Sequence, residues 1–143
     1  MIERSVCFDF QSRVQDAFAG ISSLQLDLPV TWTAGASHGL TLETMAEVWA
    51  RRPAKLAGLS SRKGSIEVGM DADFLVFDPD AEFIVGDDSV PLFHRHPSVT
   101  PFMGERLRGR VKATFVRGEI VFLDGHGHSD ERCGKSLLKY RDF

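Results

Sequence analysis

The chain has 143 residues, 43 % of them hydrophobic and 26 % charged, with a net charge of -3; these values suit one soluble globular domain. The slight negative charge excludes the basic surface typical of nucleic-acid binding. No apolar run approaches the roughly 20 residues that cross a bilayer. The two cysteines, Cys7 and Cys133, form no CxxC or zinc-type spacing, so neither a disulfide framework nor a structural zinc site is supported. No apolar segment near the start resembles a signal peptide, so we expect a cytoplasmic protein.

Helical spacing of apolar residues dominates the first part of the chain. It follows an N-terminal segment, residues 1–17, that shows no clear period and stays unassigned. Ser22 or Ser23 is the expected N-cap of the first helix, and Pro29 should kink it or divide it in two. The apolar stripe of this helix consists of Leu24, Leu28 and Trp32.

A second helix begins after Thr41, whose hydroxyl suits an N-cap, with Glu43 in the first turn. Pro53 suits the first turn of a short third helix, and Gly58 suits its C-terminal end. The apolar side of the second helix comprises Leu42, Met45, Ala46, Val48 and Trp49. A polar linker then leads into a part of the chain with β character.

The β part is predicted to open with a strand, a tight turn and a second strand. Residues 65–68 alternate between polar and apolar side chains, as a half-buried strand does. Asp71 and Asp73 fall in the turn, where bonding to their own backbone explains them better than acid–base chemistry. Residues 74–77 form an apolar run typical of a strand buried on both faces. Pro79 should end that strand.

The rest of the β part contains a short strand, a long loop and a hairpin. The short strand is expected at residues 82–85 and the loop at 86–109; loops of that length often serve function or pack on another domain. Residues 111–116 and 119–123 alternate well, and Arg117-Gly118 joins them as a hairpin turn. Four basic residues alternate before and within this hairpin and should form one solvated strand face: Arg106, Arg108, Arg110 and Lys112.

Two His-x-His pairs are the most visible candidates for metal binding. They are His94 with His96, and His126 with His128. Neither lies in a convincing strand, and no third ligand completes either one, so both are interpreted as loop histidines. The residues alone indicate a soluble α+β domain without a visible active site. They favour neither cysteine as a nucleophile, and the tail should end in a short helix at residues 135–139.

Several ordered segments nevertheless resemble a known family. Residues 63–73, KGSIEVGMDAD, resemble the carboxy-terminal signature of the amidohydrolase superfamily, in its cyclic-amide hydrolase branch. Further segments are similar, in matching order, to the allantoinase family within that branch: residues 20–25, 28–33, 53–59, 77–83, 93–96, 100–104 and 116–119. The resemblance covers residues 18–124.

The resemblance implies the fold and its divisions. Members of this branch pair a metal-bearing (β/α)8 barrel with a small β-sandwich made from both chain ends. The expected fold class is therefore α+β, with terminal helices of an incomplete (β/α)8 metal-dependent hydrolase barrel followed by a small β-sandwich. The expected divisions are an unassigned segment at 1–17, a helical barrel remnant at 18–62, a sandwich part at 63–125 with its loop at 86–109, and a tail at 126–143.

The resemblance also implies a reaction, the hydrolysis of the cyclic amide of allantoin to allantoate. In the family a divalent metal pair, usually zinc, activates a bridging water. The family's metal ligands all lie upstream of the position of Gly20, and neither Asp9 nor Asp16 has the sequence context of its catalytic aspartate. No catalytic residue, metal ligand or cofactor is therefore assigned to this chain. The loop of Ala19, Gly20 and Ile21 is similar to one whose backbone approaches the substrate ring.

Four functional hypotheses follow. The first is the carboxy-terminal third of an allantoinase-like enzyme, inactive alone. It would take a ureide substrate only with a separate barrel polypeptide or through self-association, across a surface formed by Leu24, Leu28, Trp32 and Trp49. The second is a non-catalytic interaction or assembly module. The third is a fragment of a dihydropyrimidinase or hydantoinase-type enzyme, and the fourth is a new catalytic site around His94 and His96. None involves nucleic acid or a membrane.

Overall fold

The computed structural model describes residues 21–88, 90–93 and 100–137. Helices come first and strands second, which confirms the α+β class. The helical elements are α1 (Asp27–Ala36), α2 (Leu42–Ala46), a π-helical stretch (Glu47–Arg51) and α3 (Arg52–Leu56). The strands are β1 (Phe74–Ile84), β2 (Arg106–Val116), β3 (Glu119–Leu123) and β4 (Gly127–His128). They form one antiparallel sheet in the order β1-β2-β3-β4.

Helix α1 differs from its sequence prediction at its start. Its N-cap is Leu26, without a side-chain cap, and the Ser23 carbonyl accepts a hydrogen bond from the Leu26 N–H at 2.6 Å. Neither predicted serine cap is used. Pro29 lies in the first turn, where a missing N–H costs little, so the predicted kink is wrong. Leu24 precedes the helix and is 87 % exposed, so it is not part of the apolar stripe.

From α2 to α3 the chain forms one continuous helix, which we call the helical rod, residues 42–56. The Thr41 hydroxyl accepts a hydrogen bond from the Thr44 N–H at 3.2 Å, which confirms the predicted N-cap. Pro53 lies in the first turn of α3, and Gly58 has φ +68° just beyond its end, both as predicted. The π-helical stretch was not predicted, because apolar periodicity does not resolve one extra residue in a turn.

The predicted first strand of the β part is absent. Residue 65 lies in a bend, residues 66 and 67 have no regular structure and a turn begins at residue 68; Ile66 is 85 % exposed and Val68 fully exposed. Alternation alone did not suffice, since a strand also needs a neighbour that takes up its backbone hydrogen bonds. The turn itself is confirmed at Gly69, which has φ +94°.

Strand β1 runs through Pro79 to Ile84 and includes most of the predicted short strand at 82–85, so the predicted stop is wrong. Its pairing with β2 shifts register between Asp78 and Glu82, which places the proline in a bulge. The Asp78 carboxylate accepts two backbone N–H groups of this bulge at 3.1 Å each. The predicted burial of residues 74–77 on both faces is also wrong, because β1 lies at the edge of the sheet that the described residues form and residues 74–76 are 38–47 % exposed.

Strand β2 begins at Arg106, so the preceding loop is shorter than predicted. The hairpin from β2 to β3 is confirmed, with φ +57° at Arg117 and +88° at Gly118, as in a tight two-residue turn. In the tail, residues 131–137 form no helix, and residues 138–143 lie outside the described part. The predicted helix is therefore wrong over residues 135–137.

The core lies between α1 and one face of the sheet. Its buried cluster is Leu26, Phe83, Val85 and Leu107, with Val30, Val90, Leu92 and Phe102 packed against it. Trp32 contacts Phe77 edge to face at 6.1 Å, and its indole N–H donates to the Pro79 carbonyl at 2.8 Å. Burial of Trp32 against the sheet corrects its predicted place on a surface facing a barrel.

The opposite face of the sheet, which we call the outer apolar face, is partly open to solvent. Phe74 is the cross-strand partner of Phe115 and stacks on it at 4.5 Å, and Phe115 is in turn the partner of Ile120. The exposed large apolar side chains on this face are Phe74, Val76, Ile120 and Leu123, at 38–49 %. Apolar side chains so placed mark a surface suited to a further layer of structure.

Candidate functional site

The segment with the family signature folds around a lysine. The Lys63 ammonium is bound by the carboxylates of Asp71, at 2.8 Å, and Asp73. Arg62 adds a second cation on Asp71, with distances of 3.1 and 2.9 Å to its two carboxylate oxygens. We call these four residues the Lys63 clasp. The prediction that both aspartates bond their own backbone is wrong, because their carboxylates bind cations and, for Asp73, a distant N–H.

The clasp is joined to the turn between β2 and β3. The Arg117 N–H donates to Asp73 Oδ1 at 2.7 Å, and the Gly118 N–H donates to the Ala72 carbonyl at 2.8 Å. The Arg62 carbonyl also accepts the Asp71 N–H at 2.9 Å. The signature residues therefore connect the helical part of the chain to the sheet.

The clasp shifts the pKa of its three central groups. Hydrogen bonds from Lys63, and then from Arg62, hold the pKa of Asp71 below its usual value. Partial burial acts to raise the pKa of Asp73, but hydrogen bonds from Lys63 and the Arg117 N–H outweigh it and lower that pKa. Burial acts to lower the pKa of Lys63, and its hydrogen bonds to the two aspartates outweigh it and raise that pKa. All three groups are charged near neutral pH.

These shifts predict how stability depends on pH. The lowered aspartate pKa values stabilise the fold above the unfolded value of about 3.9, and that stability is lost as pH falls through the folded values. The raised Lys63 pKa stabilises it below about 10.4, and that stability is lost as pH rises through the folded value. Urea unfolding across the pH range should therefore show a plateau with falling limbs at both ends. In Lys63→Met the alkaline limb should weaken, and an unchanged alkaline limb would contradict its assignment to the clasp.

The four basic residues of β2 are all paired with carboxylates. Arg106 binds Glu82 at 3.2 Å, and Arg108 binds Asp80. Arg110 and Lys112 share Asp124, at 2.6 and 3.0 Å. Partial burial acts to raise the pKa of Asp124, but the hydrogen bonds from Arg110 and Lys112 outweigh it and lower that pKa. The predicted solvated face is thus a row of ion pairs, which argues against a phosphate-binding stripe.

A groove of about 610 Å³ lies between the start of α1, residues 90–93 and the sheet. The Gln25 side chain fixes one wall, donating to the Pro91 carbonyl at 2.9 Å and accepting the Phe93 N–H at 2.8 Å. Phe93 packs edge-on against His128 at 4.4 Å. His128 lies on β4 beside aromatic rings, which refines its interpretation as a loop histidine.

Most of the predicted site residues lie outside the part of the chain that the structure describes. Ile21 is 62 % exposed, and its carbonyl accepts the Ser23 N–H at 3.0 Å, so it forms part of a surface turn before α1. Ala19, Gly20, His94, His96 and Cys7 lie outside the described residues. The substrate-loop assignment therefore stays a prediction.

The helical rod also exposes apolar side chains. Its large apolar residues with at least 43 % exposure are Leu42, Val48, Trp49 and Leu56. Met45 on the same rod is buried, so the rod presents both an inner and an outer apolar surface. No helix within the described residues is long and apolar enough to cross a membrane.

The helices followed by one antiparallel sheet, together with the signature segment, are consistent with a fragment of an amidohydrolase. Residues 12–122 match the model of the Amidohydrolase family, and the chain belongs to that family. It is 49 % identical over 122 residues to the allantoinase of Arabidopsis thaliana and 43 % identical over 122 residues to a probable allantoinase of Oryza sativa subsp. japonica. Each alignment covers 85 % of this chain and 24 % of the relative. The chain thus spans about a quarter of the length of the curated relatives it matches.

A solved structure agrees with the sequence comparison. The L-hydantoinase (dihydropyrimidinase) from Arthrobacter aurescens superposes with a TM-score of 0.68 at 35 % identity, covering 81 % of this chain and 25 % of that one. Amidohydrolases are in general metal-dependent enzymes. Within residues 21–88, 90–93 and 100–137, however, no group of three or more His, Cys, Asp or Glu side chains could hold a metal ion. The side chains of these residues therefore do not fit a metal site of the kind the family uses.

The sequence pattern indicated the signature but missed what its charged residues do. Asp71 and Asp73 lie eight and ten positions after Lys63. Residues so far apart in sequence do not contact each other within one regular helix or strand. A basic residue followed by two acidic residues in a turn segment was the available signal. Nothing local in the sequence showed that the Arg117 N–H would complete the arrangement.

Proposed function

We propose that this chain forms the carboxy-terminal portion of an allantoinase-type enzyme and contributes to allantoin hydrolysis only together with the rest of that enzyme. The observation that carries the proposal is the 49 % identity to the Arabidopsis thaliana allantoinase across 122 residues. Identity at this level over most of a domain supports a shared fold and a shared place in the enzyme.

In this proposal the chain packs around an active site whose metal ligands belong to the rest of the enzyme, which we call the remainder. The remainder supplies the zinc pair, whose chemistry is the activation of water for attack on the ring carbonyl. The backbone of Ala19, Gly20 and Ile21 approaches the substrate ring. Residues 63–125 belong to a β-sandwich whose other strands come from the remainder, and residues 18–62 border the barrel. The enzyme acts in ureide and purine catabolism in the cytoplasm.

The exposed apolar surfaces support this arrangement. The outer apolar face of the sheet carries four large side chains at 38–49 % exposure, and the helical rod carries four more at 43–90 %. A free monomer with this much apolar surface tends to associate. The remaining three quarters of a relative's length can cover both surfaces. Trp32, predicted as part of this contact, is buried against the sheet instead, whereas Leu24 is 87 % exposed and remains available for it.

A transplant into a known relative tests the proposal. The segment of the Arabidopsis thaliana allantoinase that aligns with this chain is replaced by the corresponding residues of this chain. The hybrid should hydrolyse allantoin, whereas the chain alone and the host without its segment should not. A folded, metal-loaded hybrid without allantoin hydrolysis would overturn the proposal. Activity of the chain alone would also overturn it.

A hydantoinase-type enzyme is the second candidate, because the L-hydantoinase structure superposes at 35 % identity. The corresponding hybrid in an L-hydantoinase host tests this candidate on hydantoin, dihydrouracil and allantoin. Better function in the hydantoinase host than in the allantoinase host would favour the second candidate. Tight binding of the chain to an unrelated protein, with neither hybrid active, would favour an interaction module.

A further inference from the structure

We propose that Lys63 is a positioning residue that sets the angle between the helical rod and the sheet. In this way one partner, the remainder of an allantoinase-type enzyme, can engage the rod and the outer apolar face at the same time. The inference rests on the proposed function for the identity of that partner. The angle itself is a property of this chain and is testable without the partner.

One end of the connection between the two parts lies directly against the rod. Gly64 has φ +96°, and a Cβ added there would meet the Ala54 Cβ at 2.8 Å and the Arg51 Cα at 3.1 Å. The Leu59 N–H donates to the Ala54 carbonyl at 2.7 Å, and the Lys63 N–H to the Leu59 carbonyl at 2.9 Å. The backbone up to residue 64 is therefore held on the rod.

The other end of the connection is held on the sheet. Ala72 and Asp73 accept the N–H groups of Gly118 and Arg117, at 2.8 and 2.7 Å, in the turn between β2 and β3. Immediately afterwards the chain enters β1. The residues between the two ends pack little against the rest of the protein, since Ile66 and Val68 are almost entirely exposed.

The Lys63 side chain joins the two ends, together with one backbone hydrogen bond from the Asp71 N–H to the Arg62 carbonyl at 2.9 Å. It is 21 % exposed, and its ammonium lies between the carboxylates of Asp71 and Asp73. Arg62 reaches only Asp71 among these two and is 45 % exposed, so it cannot replace the bridge. Without the lysine charge the two neighbouring carboxylates repel each other. Removal of this charge should therefore loosen the connection rather than merely remove one contact.

A fixed angle matters because the proposed partner contacts two surfaces of the same chain. When both surfaces are held in the correct relation, the second contact forms at a high effective concentration. When they move independently, part of the binding free energy is lost in ordering them. The remainder of a relative, about three quarters of its length, is large enough to reach both.

Distances between paired spin labels test the angle in the chain itself. Both native cysteines are replaced by serine, and labels are placed at the exposed positions Lys55 on α3 and Glu119 on β3. The original sequence should give one narrow distance distribution, and Lys63→Met should broaden or shift it. A second pair, at Glu105 just before β2 and Glu119 on β3, should stay narrow and show that the sheet remains folded. Lys112→Met is the matched control, because it removes a lysine–aspartate pair away from the connection.

Three results would overturn the inference: a rod-to-sheet distribution that is already broad in the original sequence, one that Lys63→Met leaves unchanged, or one that Lys112→Met broadens equally. In a second measurement the chain is titrated with the Arabidopsis allantoinase lacking its aligned segment. Lys63→Met should weaken association by about 10- to 100-fold. If the original chain does not associate at all, the choice of partner fails together with the proposed function, while the distance measurement still decides the role of Lys63 in setting the angle.

Discussion

Replacement of Gly109 by alanine should lower the free energy of unfolding by about 2–5 kcal/mol, through backbone strain together with overpacking. Gly109 lies on β2 with φ +95°, against the side chain of Trp32 on α1. An added Cβ would collide with the Phe77 ring and come within 2.8 Å of Trp32 Cδ1. The Thr33 hydroxyl holds this contact by accepting the Arg108 N–H at 2.8 Å, so α1 cannot simply move away. Urea unfolding measures the change.

Gly104→Ala separates the two causes. Gly104 has φ +78° and no atom within 4 Å of the position of an added Cβ, so it reports backbone strain alone. Its cost should be about 1–2 kcal/mol. Equal losses in the two variants would show that the aromatic contact at Gly109 is not tight.

Leu26→Ala should lower the free energy of unfolding by about 2–5 kcal/mol, the usual cost of emptying a buried leucine site. Leu26 is 1 % exposed and packs with Phe83, Val85 and Leu107 at the point where α1 begins. The two strands around it pair through Phe83 and Leu107, so the cavity would lie between helix and sheet. Equilibrium unfolding of Leu26→Ala monitored by tryptophan fluorescence in a Trp49→Phe background is suitable, because the remaining Trp32 belongs to the same interface.

Leu24→Ala is the matched control for that measurement. Leu24 stands two residues earlier and is 87 % exposed, so its truncation should change stability by less than about 0.5 kcal/mol. The pair tests whether the helix is held by this one side chain or by the general apolar character of the segment. A comparable loss in both variants would place the interface elsewhere.

The two His-x-His pairs show that a spacing typical of metal ligands does not by itself indicate a metal site. His128 packs against Phe93 and Phe122, and His126 Nδ1 lies 3.4 Å from the Asp124 carbonyl oxygen. The signature aspartates were also candidates for chemistry by type, and the structure uses them to bind Lys63 and Arg62. Residue type and spacing indicate which groups are present. Their partners depend on segments far away in the sequence.

Much of this protein follows from its sequence alone. Local rules sufficed for the Thr41 cap, the Gly58 helix end and the hairpin at Arg117-Gly118, because each depends on a few adjacent residues. The ordered segments from residue 18 to 124 sufficed for the family. Alternation along β2 correctly predicted a strand, and Gly109 within it is the type of residue that marks a close approach.

Tertiary structure alone decided the rest. Residues 65–68 alternate like a strand but have no partner in the sheet, whereas β1 passes through Pro79 because Asp78 and the pairing with β2 accommodate a bulge. Trp32 is buried because Gly109 leaves room for it. In the Lys63 clasp, Asp73 accepts an N–H from the turn between β2 and β3, 44 residues away along the chain. In each case the deciding contact joins positions distant in the chain, so its energy is absent from any local pattern.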